Sequence, residues 1–284
     1  MIYFEAIKTA KEQLSEANIY DGFAFNYMLE LCELRKINLY LEMNEAMDDS
    51  LLEEYQAGVG RLLKNEPLAY VLGFEWFYGR RFKVNSAVLI PRQETEELIE
   101  QVILDMDEYF SFEEIYVVDV GTGSGNMAIT IDLEIANAHV FGSDISEDAL
   151  QVAKENAQLL DGQVTWLKGD MGQPIIDAQL KVDVLLCNPP YILEDEEVQT
   201  SVLSYEPHLA LFGGHDGLKY YRQILDESKS FLKPRSMMAF EMGYTQKENL
   251  TAEIRQRYPK AKIIFKKDLS GKDRMCFVYL GIEE

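Results

Sequence analysis

Two stretches of this chain hold residue types whose spacing points to chemistry. In Val182 to Ile192, V-D-V-L-L-C-N-P-P-Y-I, an apolar run ends in Asn188, Pro189, Pro190 and Tyr191. Two consecutive prolines stop a strand and fix the backbone, so the Asn188 side chain and the Pro189 carbonyl project rigidly from its end, with the Tyr191 ring beside them. Two carbonyl acceptors and an aromatic wall are what a planar NH2 group requires. The nitrogen of an amide or aromatic amine is a poor nucleophile because its lone pair is delocalised. Alkylating it takes alignment with an electrophilic methyl group, and carbonyl dipoles aimed at the positive charge that develops on nitrogen. No strong base is needed, since the alkylated nitrogen sheds its proton readily.

The second stretch is V-V-D-V-G-T-G-S-G, Val117 to Gly125. Gly121, Gly123 and Gly125 alternate with Thr122 and Ser124 directly after an apolar strand and before a helix, where the backbone can turn tightly and a ligand can approach the main chain and the free N–H groups of the helix start. The spacing is G-x-G-x-G, not the G-x-G-x-x-G dinucleotide pattern, and Asp119, two residues before the first glycine, either accepts from the ligand or fixes the loop. Asp144 ends the next strand, where a carboxylate can accept from both hydroxyls of a ribose. At the third strand end, Gly169-Asp170-Met171 puts Asp170 in reach of the amine of an adenine and Met171 against its face. A nucleoside-bearing cofactor fits these features.

The elements that must position these residues fall into two groups. Apolar positions three and four apart from Phe4 to about Leu63 predict a small helical bundle, which Pro67 ends. Ala69 to Ile90, rich in aromatic and β-branched residues around Gly73 and Gly79, predicts a hairpin linker. After Pro91, strands alternate with helices, the mark of a parallel sheet covered on both faces. Strands are expected at 115–120, 139–143, 164–168, 182–187, 237–241, 261–265 and 275–280, and helices at 94–109, 126–136, 147–160, 218–232 and 246–257. The expected domains are a helical unit over 1–65, a hairpin linker over 66–92 and a catalytic domain over 93–284.

Composition narrows the function. The 284 residues are 47% hydrophobic, 11% aromatic and 27% charged, a globular balance. Lys and Arg number 27 against 49 Asp and Glu, a net charge of −22 that disfavours bulk binding to nucleic acid or anionic lipid. No run approaches the roughly 20 apolar residues of a membrane helix, and the N-terminus does not read as an export signal, so a cytoplasmic protein without membrane contact is expected. Cys32, Cys187 and Cys276 are widely spaced and read as reduced core thiols. His139, His208 and His215 have no metal-type spacing, and no metal is expected. The acidic run Glu194 to Glu197 reads as solvated, Met237 and Met238 as core, and Glu241 as an acceptor supporting the site rather than a base.

Taken in order, these motifs resemble a known family. P-L-A-Y-V-L-G (67–73), L-I-P-R-Q-E-T-E (89–96), the glycine loop, N-P-P-Y (188–191), E-P-H-L-A-L-F-G-G-H-D-G-L (206–218), E-M-G-Y-T-Q (241–246) and D-L-S-G-K-D-R (268–274) run over nearly the whole chain. The glycine loop alone resembles the S-adenosylmethionine-dependent methyltransferases; the ordered set resembles the release factor glutamine methyltransferases, the HemK-like family. The resemblance implies an α/β fold, a Rossmann-like seven-stranded methyltransferase sheet with a small N-terminal helical bundle joined by a β-hairpin. It implies methyl transfer from S-adenosyl-L-methionine, leaving S-adenosyl-L-homocysteine, to the side-chain amide nitrogen of the glutamine in the Gly-Gly-Gln motif of class 1 peptide chain release factors. Carried over by position, Asp119, Gly121 to Gly125, Asp144 with Ile145, Asp170, Met171 and Asn188 face the cofactor, and Asn188, Pro189, Pro190 and Tyr191 act on the glutamine. The helical domain is implied to grip a release factor, with the enzyme a monomer that does not bind nucleic acid. Two residues depart from the family: Gln93 replaces the second proline of L-I-P-R-P-E-T-E, with a small expected effect, and Met171 replaces an aromatic residue, loosening adenine packing. Methylation of another protein amide, such as that of a ribosomal protein, or of adenine N6 in DNA remain alternatives, as does a non-catalytic nucleotide binder or dehydrogenase reusing the loop; the amide clamp argues against that last pair.

Overall fold

A computed structural model describes residues 1–110 and 113–282. The chain forms two compact units, Met1–Glu75 with Val198–Glu206, and Trp76–Glu197 with Pro207–Glu284. The first holds helices α1 (Tyr3–Glu16), α2 (Gly22–Leu34), α3 (Leu39–Glu42), α4 (Asp49–Leu62) and α5 (Leu68–Leu72). Their apolar stripes meet in a core that includes Leu14, Met28, Cys32, Leu51 and Tyr55. The Asp48 carboxylate caps α4 by accepting from the Ser50 amide at 2.9 Å.

The expected hairpin is shorter than Ala69 to Ile90. Pro67 opens the single turn of α5 and Gly73, at φ +81°, closes it, so only β1 (Phe74–Phe77) and β2 (Arg80–Lys83) pair.

The second unit continues with α6 (Gln93–Phe110), β3 (Ile115–Val120), α7 (Asn126–Glu134), β4 (Ala138–Asp144), α8 (Glu147–Leu160), β5 (Thr165–Lys168), α9 (Gln173–Asp177) and β6 (Val182–Cys187). After α10 (Thr200–Tyr205), which belongs to the first unit, come α11 (Lys219–Glu227), β7 (Leu232–Glu241), α12 (Lys247–Arg257), β8 (Lys262–Lys267) and β9 (Asp273–Leu280). The sheet order is β5-β4-β3-β6-β7-β9-β8. Every residue of β6 is buried, which explains why it is apolar on both faces; its one polar residue, Asp183, accepts from the Tyr116 amide at 2.8 Å and from Lys233 Nζ at 2.7 Å. Val117, Val184 and Ala239 face one core layer, while Val118, Leu185 and Met238 face the other.

The sheet is not wholly parallel. β9 runs antiparallel between β7 and β8, because the short turn after β8 can only reverse the chain; a parallel return needs a crossover of a dozen residues or more. β7 also starts earlier than expected, at Leu232, with Lys233-Pro234-Arg235-Ser236 absorbed in a register irregularity where the missing proline N–H does no harm. The helix expected to reach residue 232 ends at Glu227 in a 3-10 turn, and the short α9 and α10 escape a periodicity reading. The three cysteines are free and buried, Met237 and Met238 are core, and Glu194 to Glu197 are exposed, all as expected. Among the described residues no helix is long and apolar enough to cross a membrane.

Candidate active site

Strand register lines the site residues up. Val120 is level with Ser143 on β4 and with Cys187 on β6, Asp144 with Lys168 on β5, and Cys187 with Phe240 on β7. Gly121, Asp144, Gly169, Asn188 and Glu241 therefore leave the carboxyl edge of the sheet side by side. Strand order reverses between β3 and β6, where α/β sheets open a crevice. A cavity of about 440 Å³ lies there. Of the residues singled out in the sequence, Gly121, Thr122, Gly123, Ser124, Asp144, Ile145, Asp170, Met171, Asn188 and Pro190 line it; Asp119, Gly125, Pro189 and Tyr191 do not.

The loop after β3 is shaped by its glycines. Gly121, Gly123 and Gly125 have φ of +75°, +56° and +79°, in the left-handed region that side chains disfavour. A Cβ on Gly121 or Gly123 would meet nothing within 4 Å, so both leave open space at the cavity wall. Asp119 lies fully buried beneath, its Oδ2 accepting from the Thr122 hydroxyl at 2.6 Å. Of its two candidate roles, this contact is that of fixing the loop. Burial, with the nearby Asp144 charge adding to it, pushes the Asp119 carboxyl up to about 7. Asn156 of α8, buried, donates to the Ser124 carbonyl at 2.8 Å and braces the loop from behind.

Asp144 accepts from the Gly123 amide at 2.9 Å and from the Ser146 amide at 2.9 Å. Burial raises its carboxyl above the usual range, and these amides hold it down. Met171 sits at φ +45° in the turn after β5.

At the other end of the cavity, a buried carboxylate organises the amide. Glu241 Oε2 accepts from Asn188 Nδ2 at 2.9 Å and from the Thr95 hydroxyl at 2.5 Å, and its Oε1 accepts from the Tyr191 hydroxyl at 3.1 Å. A carboxylate only accepts, so it holds the NH2 of Asn188 and turns Oδ1 away from itself. Burial raises the Glu241 carboxyl above its ordinary range; the Thr95 and Tyr191 hydroxyls and the Arg274 charge oppose that. Burial and the Glu241 charge raise the Tyr191 phenol in turn. Arg274 of β9 donates to the Tyr191 hydroxyl at 3.5 Å, and is itself held by Asp268 at 3.2 Å and the Met242 carbonyl at 3.2 Å.

The backbone of Pro190 and Tyr191 is gripped as well. Gln246 donates to the Tyr191 carbonyl at 3.1 Å and to the Gly217 carbonyl at 3.2 Å. A Cβ on Gly213 would stand 2.6 Å from the Pro190 carbonyl oxygen, and one on Gly217 2.5 Å from that of Tyr191. The G-G-H-D-G segment is thus glycine-rich because it passes directly over the tetrapeptide.

Sequence reasoning did not assign Thr95, Arg274, Gln246 or Asn156 to the site. Thr95, Gln246 and Arg274 lie in segments that carry the family resemblance, which could have pointed to them; nothing local marked Asn156. Gln93, exposed at the first turn of α6, occupies a position that proline tolerates, and Thr95 still reaches Glu241. Among the described residues there is no cluster of three or more His, Cys, Asp or Glu able to hold a metal ion.

Comparison with known proteins agrees with this geometry. Residues 111–276 match the family described as a methyltransferase domain, and residues 5–73 the PrmC N-terminal domain. A release factor glutamine methyltransferase of Bacillus cereus is 39% identical over 98% of this chain and 99% of its own length. One of Enterococcus faecalis is 40% identical over 96% and 98%. The crystal structure of a methyltransferase from Pyrococcus furiosus shares the fold, with a TM-score of 0.51 at 20% identity over 78% of this chain and 98% of that one. With a buried carboxylate fixing the amide of an Asn-Pro-Pro-Tyr motif beside a glycine loop, and with relatives matched end to end, the chain belongs to the release factor glutamine methyltransferase family.

Proposed function

We propose that the protein transfers a methyl group from S-adenosyl-L-methionine to the side-chain amide nitrogen of the Gly-Gly-Gln glutamine of a class 1 peptide chain release factor. The observation that carries this reading is the Glu241 to Asn188 hydrogen bond at the cavity wall, which dictates which face of the Asn188 amide remains available. The cavity suits the methyl donor: Gly121 and Gly123 leave a cradle that a Cβ would fill, and carboxylates at Asp144 and Asp170 line its nucleoside end. When bound, the donor supplies an electrophilic methyl group. Gly121 to Ser124 take its amino-acid side, Asp144 with Ile145 its ribose, and Asp170 with Met171 its adenine, while Gly125 shapes the loop from behind.

On the substrate side, Asn188 Oδ1 and the Pro189 carbonyl accept the two amide N–H bonds, and Tyr191 bounds the flat group. The two carbonyl dipoles orient the nitrogen and stabilise its developing positive charge. Pro190, which locks the tetrapeptide, and Asp119, which fixes the loop, act through their neighbours. The helical unit, with a groove of about 280 Å³ lined by Ala6, Ala10, Tyr55 and Val59, grips the release factor. We assign the reaction to a cytoplasmic monomer acting on protein rather than nucleic acid.

The test is transfer of labelled methyl from S-adenosylmethionine, offered a release factor, the same factor with alanine replacing the Gly-Gly-Gln glutamine, and adenine-containing DNA. Label on the unaltered factor alone is expected. Label on DNA, or equal label on both factors, overturns the substrate assignment.

A further inference from the structure

The nucleoside end of the cavity is built partly by a helix that no motif marks. Lys219, Gln223 and Glu227 lie four residues apart and so share one stripe of α11. Lys219 and Gln223 line the cavity, together with Tyr220. Gln223 Nε2 donates to Asp170 Oδ2 at 3.2 Å and to Glu227 Oε1 at 3.0 Å, and Glu227 Oε2 accepts from the Gly172 amide at 2.7 Å. A Cβ on Gly172 would stand 2.9 Å from that oxygen and 2.8 Å from the Phe231 ring, so only glycine admits the approach. Between the two anchored residues, Met171 adopts a left-handed backbone at φ +45°, which a non-glycine residue keeps only where its surroundings impose it.

We infer that Gln223 and Glu227 are positioning residues for the nucleobase: they fix Asp170 and Met171 so that the cavity selects a purine bearing an amino group over one bearing a carbonyl. Gln223 occupies Oδ2 of Asp170 and leaves Oδ1 to accept from an exocyclic amine. A purine carbonyl at the same place sets acceptor against acceptor. This inference rests on the proposed use of the cavity for S-adenosylmethionine with Asp170 at its adenine.

The experiment is calorimetric titration of the full chain with S-adenosylhomocysteine and with S-inosylhomocysteine, for the wild type, Gln223→Leu, Glu227→Gln and Asp170→Asn, with the melting temperature of each recorded. Gln223→Leu is expected to weaken S-adenosylhomocysteine binding about tenfold and to narrow the preference over the inosine analogue by a similar factor. Loss of methyl transfer should appear in KM for the donor rather than in kcat. Glu227→Gln, which keeps shape and removes charge, should move both quantities in the same direction and serves if Gln223→Leu does not fold. Preference lost in Asp170→Asn but intact in both α11 variants overturns the inference while leaving the adenine assignment standing. Preference intact in Asp170→Asn overturns that assignment and the inference with it.

Discussion

The two ends of the cavity are built from different material. At the glycine-loop end the working surface is largely backbone, a loop whose three glycines adopt positive φ, with the Gly123 amide donating to Asp144. At the amide end it is side chains brought from far apart: Thr95 on α6, Asn188 after β6, Glu241 at the end of β7 and Arg274 on β9. A surface of main chain depends on local conformation and tolerates change elsewhere. A hub of buried hydrogen bonds depends on sheet register and is exposed to single substitutions, since each partner removed leaves another buried group unsatisfied.

If the two ends are energetically separate, substitutions should divide cleanly between turnover and cofactor affinity. The largest effect is expected for Asn188→Ala: kcat for methyl transfer falls by about 10²–10³-fold or more, while affinity for S-adenosylhomocysteine, read by calorimetry, stays near wild type. A parallel loss of affinity breaks the division. In the opposite sense, Asp144→Ala should weaken S-adenosylhomocysteine binding by about 1–3 kcal/mol, the scale of a lost charge-assisted hydrogen bond. Unchanged calorimetric affinity removes Asp144 from the ribose.

Glu241→Gln should lower kcat about tenfold, because an amide in that place can donate toward Asn188 and release its orientation. The same hub predicts a pH profile. Burial raises the Glu241 carboxyl, so on acidification it protonates above the ordinary carboxylate range and ceases to be a pure acceptor. Wild-type turnover should fall as pH drops through that raised value, and the Gln variant should lack this limb in a pH–rate profile.

The smallest effect concerns Asp119. Its folded-state carboxyl, at about 7, lies above the unfolded value near 4, so the native state binds the proton more tightly. The stabilisation this group contributes is complete below about pH 4 and is lost as pH rises through about 7. The melting temperature of the wild type relative to Asp119→Asn should therefore decline by several degrees between pH 5 and 8. A constant difference across that range removes the buried titration.

Legibility in the sequence followed the same divide. Gly121, Gly123 and Gly125, and the consecutive prolines after Asn188, declare backbone geometry within a few residues, so the loop and the tetrapeptide could be read from local order. The alternation of strands and helices gave the α/β architecture. The residues around Glu241 had no such mark of their role: Thr95 of α6 reaches Glu241, and Arg274 of β9 the Tyr191 hydroxyl, only once β6, β7 and β9 are in register, and a polar residue at a helix start or on a strand resembles many others. Glu241 was readable as a supporting acceptor because it ends a strand beside the site. The reversed direction of β9 and the early start of β7 through Pro234 were hidden for a related reason, since pairing direction and bulges belong to two strands at once.

The helical unit is not continuous in sequence. Its first 75 residues are joined by Val198–Glu206, where the Tyr205 hydroxyl donates to the Lys64 carbonyl at 2.9 Å. During synthesis the amino-terminal helices leave the ribosome long before this segment exists, and by the time residue 206 emerges β3 through β6 have been made. The first unit to start is therefore finished only after its neighbour is well under way, and the two must mature interleaved rather than in succession.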